Sequence, residues 1–530
     1  MGSNTARLVI IDILDGGYYV VVNEMKEAVR LGDMEKDGTL KTSRVVQAIA
    51  TLKIFKKTCE CNNVDKIIAV ATAAVRQARS QKVFLNDVFV ATGIKLRVLS
   101  ETEEAHYVYQ GVINSMEIPK GLIMEIGGGS TKLIYYNRRN ILKESILPFG
   151  AVTLSEMFTV NEERPEDQAL KIEEFVKGKL EELTWLKEID PDAQFIGVGG
   201  SFRSLSKISR RIKKYPLDMV HNYQMSRADF YNIYDMIKVL DLDKKMKIKG
   251  MSTARADVFP CALSVIKAFV DYMDFHVITT SGCGLREGYM FNYAVPQTLE
   301  KPISDILGHS LATYINYMRL DAAHCEQVFN LCIQLFRQLR VLHKFPRAYV
   351  RVLRVAALMH DSGKCFKFFN YQKHSAYFIL NSNLYGIAHK DLVLAAFVTE
   401  MFNKDEINMN DWVKYRELLT EEDVEAGKKL AVILKLAVAL DKSRNNVITE
   451  INCDVLGDSV IMKTETNGAD SMLEIKEAVG ASAGCSRKIW KFCKTIQSEQ
   501  TGRPPGLFFV RAPRAVLAAE EHCLFADALV

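Results

Sequence analysis

The run Glu125-Ile126-Gly127-Gly128-Gly129-Ser130-Thr131 gathers an acid, three glycines and two hydroxyls between two apolar stretches, Leu122–Met124 and Leu133–Tyr136. Glycines let a backbone turn at positive φ and come close to a ligand. Successive free N–H groups and two hydroxyls suit a phosphate there, and Glu125 suits a metal ion or a water. The same triplet also serves as a plain hairpin turn between strands. Gly2-Ser3-Asn4-Thr5, which precedes the strand-like Ala6–Ile10, partly echoes it. Two such turns facing each other across one cleft would make a ligand site.

Two further groups of residues have chemical potential. Glu101-Thr102-Glu103-Glu104-Ala105-His106 lies between a strand and a helical stretch. A carboxylate there can orient a water for attack on a phosphoryl group, or simply favour a helix N-terminus. Thr72-Ala73-Ala74-Val75-Arg76 is another strand-end turn carrying a base. Farther on, His360-Asp361 closes an apolar helix, with His324 upstream and Asp441 downstream on predicted helices. Adjacent nitrogen and oxygen donors can share one divalent ion if other helices add ligands, and a structural His-Asp pair is the alternative. His374 and His389 are spare imidazoles.

These groups need elements to hold them. Strands are predicted at Leu8–Ile13, Tyr18–Asn23, Lys66–Ala71, Lys95–Leu99, Phe195–Val198 and His276–Thr280, with helices at Ser43–Lys57 and Glu103–Ile113. A strand running into a Gly/Ser turn recurs along residues 1–297, which indicates an α/β fold. Pro296 and Pro302 mark a boundary. Beyond it, Cys325–Leu342, Arg351–His360, Lys390–Met401 and Ala426–Asp441 read as amphipathic helices, followed by a short β-like pair at Asp454–Ile461 and an irregular tail after Gly480.

Composition is that of a globular protein, 48% hydrophobic and 25% charged. A formal net charge of +5 is too small to argue for nucleic acid. The bases at Lys207, Arg210, Arg211, Lys213 and Lys214, and at Lys244, Lys245, Lys247 and Lys249, read either as solvated helix faces or as a polyanion track. Eleven cysteines without a CxxC pair favour reduced thiols. The stretch Leu430–Leu440 is interrupted by Lys435 and too short to span a bilayer. A cytoplasmic protein without membrane or nucleic-acid partners is expected.

Residues 1–297 resemble the exopolyphosphatase and guanosine pentaphosphate phosphatase family. The motifs that carry the resemblance occur in family order: Gly2-Ser3-Asn4-Thr5, Ala71-Thr72-Ala73-Ala74-Val75-Arg76, Glu103-Glu104-Ala105, Ile126–Thr131, Gly197-Val198-Gly199-Gly200-Ser201-Phe202-Arg203, Arg255-Ala256-Asp257 and Gly284-Leu285-Arg286-Glu287-Gly288. Residues 305 to about 450 are similar to the HD-type helical domain of longer members. The resemblance implies a duplicated actin-like (ribonuclease H-like) ATPase fold, with half-domains at 1–118 and 119–297, an all-α HD-type domain at 303–450 and a small region at 451–530.

It also implies Mg²⁺-dependent release of orthophosphate from polyphosphate or from the 5′ end of pppGpp, and a homodimer. By position, Glu103 would orient the attacking water, with its neighbour Glu104 a second candidate. Gly2, Ser3, Asn4 and Thr5 would grip phosphates with Gly127, Gly128, Gly129, Ser130 and Thr131, and Arg76 would contact an anion. Glu125 stands at a metal-associated position where the family has Asp. The family also has a complete strand ending in Asp before Gly-Ser-Asn. Here Met1 directly precedes Gly2, so a less stable fold and weak activity are expected. A phosphate or nucleotide sensor without turnover is a different reading, as is a separate metal phosphohydrolase in the helical half (His324, His360, Asp361, Asp441), or a structural module there.

Overall fold

The computed structural model describes residues 1–158, 164–296, 302–404, 407–456, 459–485 and 507–511. The chain divides into two compact units, Met1–Tyr317 with Asn383–His389, and Met318–Ser382 with Lys390–Val530. The first unit therefore extends past the proline boundary. The helix Ile306–Tyr317 buries Ile306, Leu307, Leu311 and Ile315. Asn114 accepts from the Ile303 amide at 2.7 Å, and the Gly386 amide donates to the Ser115 carbonyl at 3.0 Å. Prolines mark where the chain bends, but apolar burial decides which unit a helix joins.

The first unit opens with an antiparallel pair, β1 (Thr5–Ile13) and β2 (Tyr19–Ala28), joined by a turn at Asp15–Gly17. A second, parallel pair is formed by β3 (Ala69–Ala71) and β4 (Leu96–Val98). The two pairs are separate sheets. Met1 lies beside β3, its amino group donating to the Val70 carbonyl at 2.6 Å and its carbonyl accepting from the Thr72 amide at 3.1 Å. Ala6, Leu52, Phe55, Val75, Phe84 and Val88 share the core around these strands.

A six-stranded sheet follows, built from β5 (Lys120–Ile126), β6 (Thr131–Asn137), β7 (Asn140–Leu147), β8 (Gln194–Val198), β9 (Tyr223–Ser226) and β10 (Val277–Thr280) in the order β7-β6-β5-β8-β10-β9. Side chains alternate between its faces. Leu122, Met124, Ile126, Leu133 and Tyr135 enter a large core with the helix Phe259–Met273. Ile123, Ile134 and Tyr136 enter a second core with Val108, Val112 and Ile113 of the helix Glu101–Ile113. Glu125 follows the parity of Ile123, and Lys132 that of Ile134. The β5–β6 register pairs Glu125 directly with Lys132.

The helix Glu101–Ile113 is also held against Leu285–Ala294. A Cβ on Gly288 would lie 1.8 Å from the Tyr107 carbonyl oxygen, so only glycine permits this approach.

The second unit packs the helices Ala322–Gln338, Tyr349–Met359 and Glu421–Ala439 together. It is not wholly helical. Strands β11 (Ile448–Leu456), β12 (Ser459–Thr466) and β13 (Leu507–Arg511) form an antiparallel sheet. The short β-like pair expected at Asp454–Ile461 is present within β11 and β12, both of which are longer than expected. The tail expected to be irregular contributes β13, and the helix Met472–Cys485 runs past Gly480. The rest of that tail lies outside the described residues. Among the described residues no helix is long and apolar enough to cross a membrane.

Candidate functional site

A cavity of about 420 Å³ in the first unit is lined by Gly2–Thr5, Gly127–Ser130, Glu104, Glu125 and Lys132. The two glycine-hydroxyl turns do face each other, since a Cβ on Gly128 would stand 3.5 Å from the Ser3 Cβ. The loop around Val29–Gly32 holds the first turn through the Ser3 and Asn4 carbonyls, and Asn4 Nδ2 reaches the Ala254 carbonyl at 3.3 Å. In the second turn the Gly127 and Gly128 carbonyls accept from Ala151, Val152 and Thr153. The Gly128 and Gly129 amides donate to no acceptor among the described residues, which leaves them available to an anion. Thr131 is different. Its hydroxyl donates to the Phe149 carbonyl at 2.8 Å, and it is fully buried. It anchors the strand and does not line the cavity.

Of the two adjacent glutamates only Glu104 lines the cavity. Glu103 completes a capping box with Ser100: its amide donates to the Ser100 hydroxyl at 3.1 Å and its carboxylate accepts from the Ser100 amide at 2.8 Å. Those hydrogen bonds, with Arg97 beside it, hold its carboxyl below the usual range. Helical period explains the choice. Glu104 stands four residues before Val108 and eight before Val112, on the buried stripe, and Glu103 stands about 100° away.

Arg76 is not among the residues that line the cleft. Its guanidinium pairs with Glu104, sits 3.1 Å from Glu101 and donates to the Leu99 carbonyl at 2.7 Å. Strand-end placement predicted a free base, but the facing helix start supplies two carboxylates that consume it. Glu125 also has a partner already. Lys132 Nζ lies 2.7 Å from Glu125 Oε2 and 3.2 Å from Glu104 Oε2. Lys132 carries a site role that went unread in the sequence, although alternation from Ile134 already turns it inward.

The cavity is rich in cations. Arg7, Arg203, Arg255 and Arg286 line it. Burial, then the nearby Arg203 and Arg286, push the Arg7 guanidinium down to about 10. Burial and Arg203 also lower Arg255. A Cβ on Gly200 would meet the Arg255 guanidinium at 2.2 Å, so a glycine makes room for it. Arg286 is compensated by Glu24 and Glu287, at 2.5 and 2.6 Å. Arg203 and Arg255 make no ion pair among the described residues. Three of the nine bases of the expected polyanion track are paired elsewhere: Arg210 with Asp218, Lys213 with Asp229 and Lys244 with Asp241.

The second unit brings His324, His360 and Asp361 together, all buried. Asp321 caps the helix that carries His324, accepting from the His324 amide at 3.1 Å. His324 Nδ1 is 2.7 Å from Asp441 Oδ2, and His360 Nδ1 is 2.7 Å from the Ala357 carbonyl. These acceptors place the protons on Nδ1 and leave both Nε2 lone pairs available. His360 Nε2 has no hydrogen-bond partner and lies 3.2 Å from Asp361 Oδ1. Burial drives His360 down to about 4. Burial opposes the charge on Asp361, but His360, Lys364 and Arg444 outweigh it and hold the carboxyl at about 2. Asp441 acts through His324 and is not one of the converging donors. His374 is not among them, and His389 belongs to the first unit, with Nε2 2.8 Å from the His221 carbonyl.

A model of the Ppx/GppA phosphatase family matches residues 9–295, and a model of Ppx/GppA phosphatase domain III matches residues 309–474. A guanosine-5′-triphosphate,3′-diphosphate pyrophosphatase of Vibrio vulnificus is 24% identical over 87% of this chain and 90% of its own length. The crystal structure of an exopolyphosphatase from Cytophaga hutchinsonii covers 56% of this chain and 96% of that one, with 27% identity and a TM-score of 0.52. An Aquifex aeolicus member of the Ppx/GppA family, 24% identical with a TM-score of 0.50, covers 57% of this chain and 97% of that one and shares the mixed α/β fold.

Proposed function

Because the chain belongs to the Ppx/GppA phosphatase family, and is thereby a hydrolase of phosphoanhydride bonds, we propose that the first-unit cleft removes the terminal phosphate of inorganic polyphosphate. The observation that carries this reading is the convergence on one cavity of two glycine-hydroxyl turns, Glu104, and two arginines, Arg203 and Arg255, that make no ion pair among the described residues. The actin-like half-domain arrangement belongs to the same reading, supported by the β7-β6-β5-β8-β10 strand order.

In this mechanism the turn amides and the arginines bind successive phosphates and stabilise charge on the transferred group. Glu104, fixed by Arg76 and Lys132, accepts a hydrogen bond from the attacking water. The water oxygen bonds to the terminal phosphorus as the bridging P–O bond breaks. The water proton passes to Glu104 and then to the departing phosphate oxygen.

A second substrate, pppGpp, is favoured by the relatives that match nearly the whole chain and carry that activity in their names. Orthophosphate release from long-chain polyphosphate and from pppGpp, measured on the full-length protein, separates the two. Turnover of pppGpp alone moves the assignment to the nucleotide. Binding of both without turnover makes the protein a sensor.

For the second unit we propose an HD-type module holding one divalent cation through His324 Nε2, His360 Nε2 and Asp361, with Asp441 orienting His324. The donor chemistry fits, because two neutral imidazoles present lone pairs beside a carboxylate. Such an ion would polarise an anionic oxygen when bound. Metal analysis of the full-length protein tests this, and absence of a stoichiometric divalent ion after metal supplementation leaves the module structural.

A further inference from the structure

The magnesium ion expected at Glu125 does not fit the residues around it. A magnesium ion needs oxygen ligands at about 2.0–2.1 Å in near-octahedral array, with one or two carboxylates to hold it beside water and phosphate. Lys132 Nζ already stands between Glu125 Oε2 and Glu104 Oε2, at 2.7 and 3.2 Å. The other Glu104 oxygen is taken by Arg76.

Lys132 is not a surface side chain that can swing aside. It is 3% exposed, and the β5–β6 register fixes it opposite Glu125. Burial works to discharge an ammonium, but Glu125 and Glu104 outweigh it and hold the Lys132 pKa above the ordinary lysine value. Two carboxylates facing Lys132 and Arg76 are already neutralised. A dication added there would be buried charge without a counter-charge of its own. Among the described residues, the His/Cys/Asp/Glu group whose ligand atoms approach closely enough to share an ion lies in the second unit.

We propose that the Lys132 ammonium is the resident cation of this cleft. It occupies the place of a divalent ion between Glu104 and Glu125, fixes both carboxylates, and lets the cleft take a polyphosphorylated anion on protein charges alone. The place of the cation stands on geometry. Only the identity of the anion rests on the phosphatase reading.

The test counts bound Mn²⁺ per full-length chain by electron paramagnetic resonance, in the native sequence, in Glu125→Gln and in Lys132→Glu. The native protein and Glu125→Gln are expected to bind equal numbers, and Lys132→Glu one more. Loss of one Mn²⁺ in Glu125→Gln overturns the proposal, as does a folded Lys132→Glu that gains none. If Lys132→Glu fails to fold, the comparison of native protein with Glu125→Gln decides alone.

Activity gives a separate reading. Phosphate release from long-chain polyphosphate in excess chelator is expected to stay within about two-fold of the rate with Mg²⁺, and a loss of about ten-fold or more that Mg²⁺ restores overturns the proposal. A protein that hydrolyses nothing in either condition fails the phosphatase reading, while the Mn²⁺ counts still decide the cation.

Discussion

Both units pair their acidic side chains with bases, Asp361 of the second with Lys364 and Arg444, but they differ in what stands beside the acids. In the first, Glu104 and Glu125 close on an ammonium and a guanidinium. In the second, two histidines are tied back through Nδ1, by Asp441 and by a backbone carbonyl, so that their Nε2 atoms converge beside Asp361. Acid count alone suggests a cation site in the cleft, whereas donor availability supports the one proposed for the second unit. A carboxylate already paired with a buried base has little left to offer an ion, whereas a neutral imidazole held by its other nitrogen has a lone pair to give.

The comparison can be broken most directly at Glu104. Glu104→Gln is expected to lower phosphate release by on the order of 10²–10⁴ with substrate binding retained. Glu103→Gln, which touches only the helix cap and Arg97, is expected to stay within about two-fold. Equal losses in a steady-state phosphate assay would remove the distinction between the neighbours. In the second unit, Asp441→Asn is expected to weaken divalent-ion affinity by about 10–100-fold without abolishing it, as befits a residue that orients a ligand. Isothermal titration with Zn²⁺ or Mn²⁺ checks this, and complete loss would make Asp441 a ligand.

Arg255→Met is expected to raise KM for polyphosphate by about ten- to hundred-fold, the worth of a charge-assisted hydrogen bond of ~1.5–3 kcal/mol, with kcat less affected. The same assay in rising salt should show a shallower KM dependence for the variant. The smallest effect concerns acid. His221 and His389 of the first unit are driven down to about 4 by burial, against an ordinary 6.5. An unfolded chain takes up those protons first as pH falls. Their contribution to stability is therefore complete above about pH 6.5 and is lost as pH drops through about 4. Urea midpoints measured across that range should fall, and less so in His389→Gln.

Much of this architecture was legible in local pattern. Strand and glycine turn followed each other clearly enough to locate both glycine-hydroxyl turns of the cavity and the strands that carry them. What misled was one-dimensional adjacency. Glu103 and Glu104 look interchangeable in a string, and only the stripe through Val108 and Val112 separates them. The Ser100-to-Glu103 spacing of a capping box was also there to be seen. Lys132 drew no assignment, because its importance depends on pairing across the hairpin and on a helix from elsewhere in the chain. Arg76 and Thr131 were assigned to ligand but are consumed by tertiary partners, Glu104 and the Phe149 carbonyl. The unit boundary escaped for a related reason. Asn383–His389 returns to the first unit through contacts such as Asn222 Nδ2 to the Ile387 carbonyl at 2.8 Å, and no local composition announces that.

The hairpin that joins β5 to β6 has a consequence of its own. Ile126 pairs with Thr131, so the length of the intervening turn fixes which strand position stands opposite Glu125. One residue inserted within Gly127–Ser130, with the strand slipping to absorb it, would turn the ammonium to the far side of the sheet and bring Thr131 opposite Glu125. The fold would keep its strands while Glu104 and Glu125 lost the ammonium between them, with Arg7, Arg203, Arg255 and Arg286 still lining the cavity. The counting of residues in a loop, and not only their chemistry, thus sets the electrical character of the cavity.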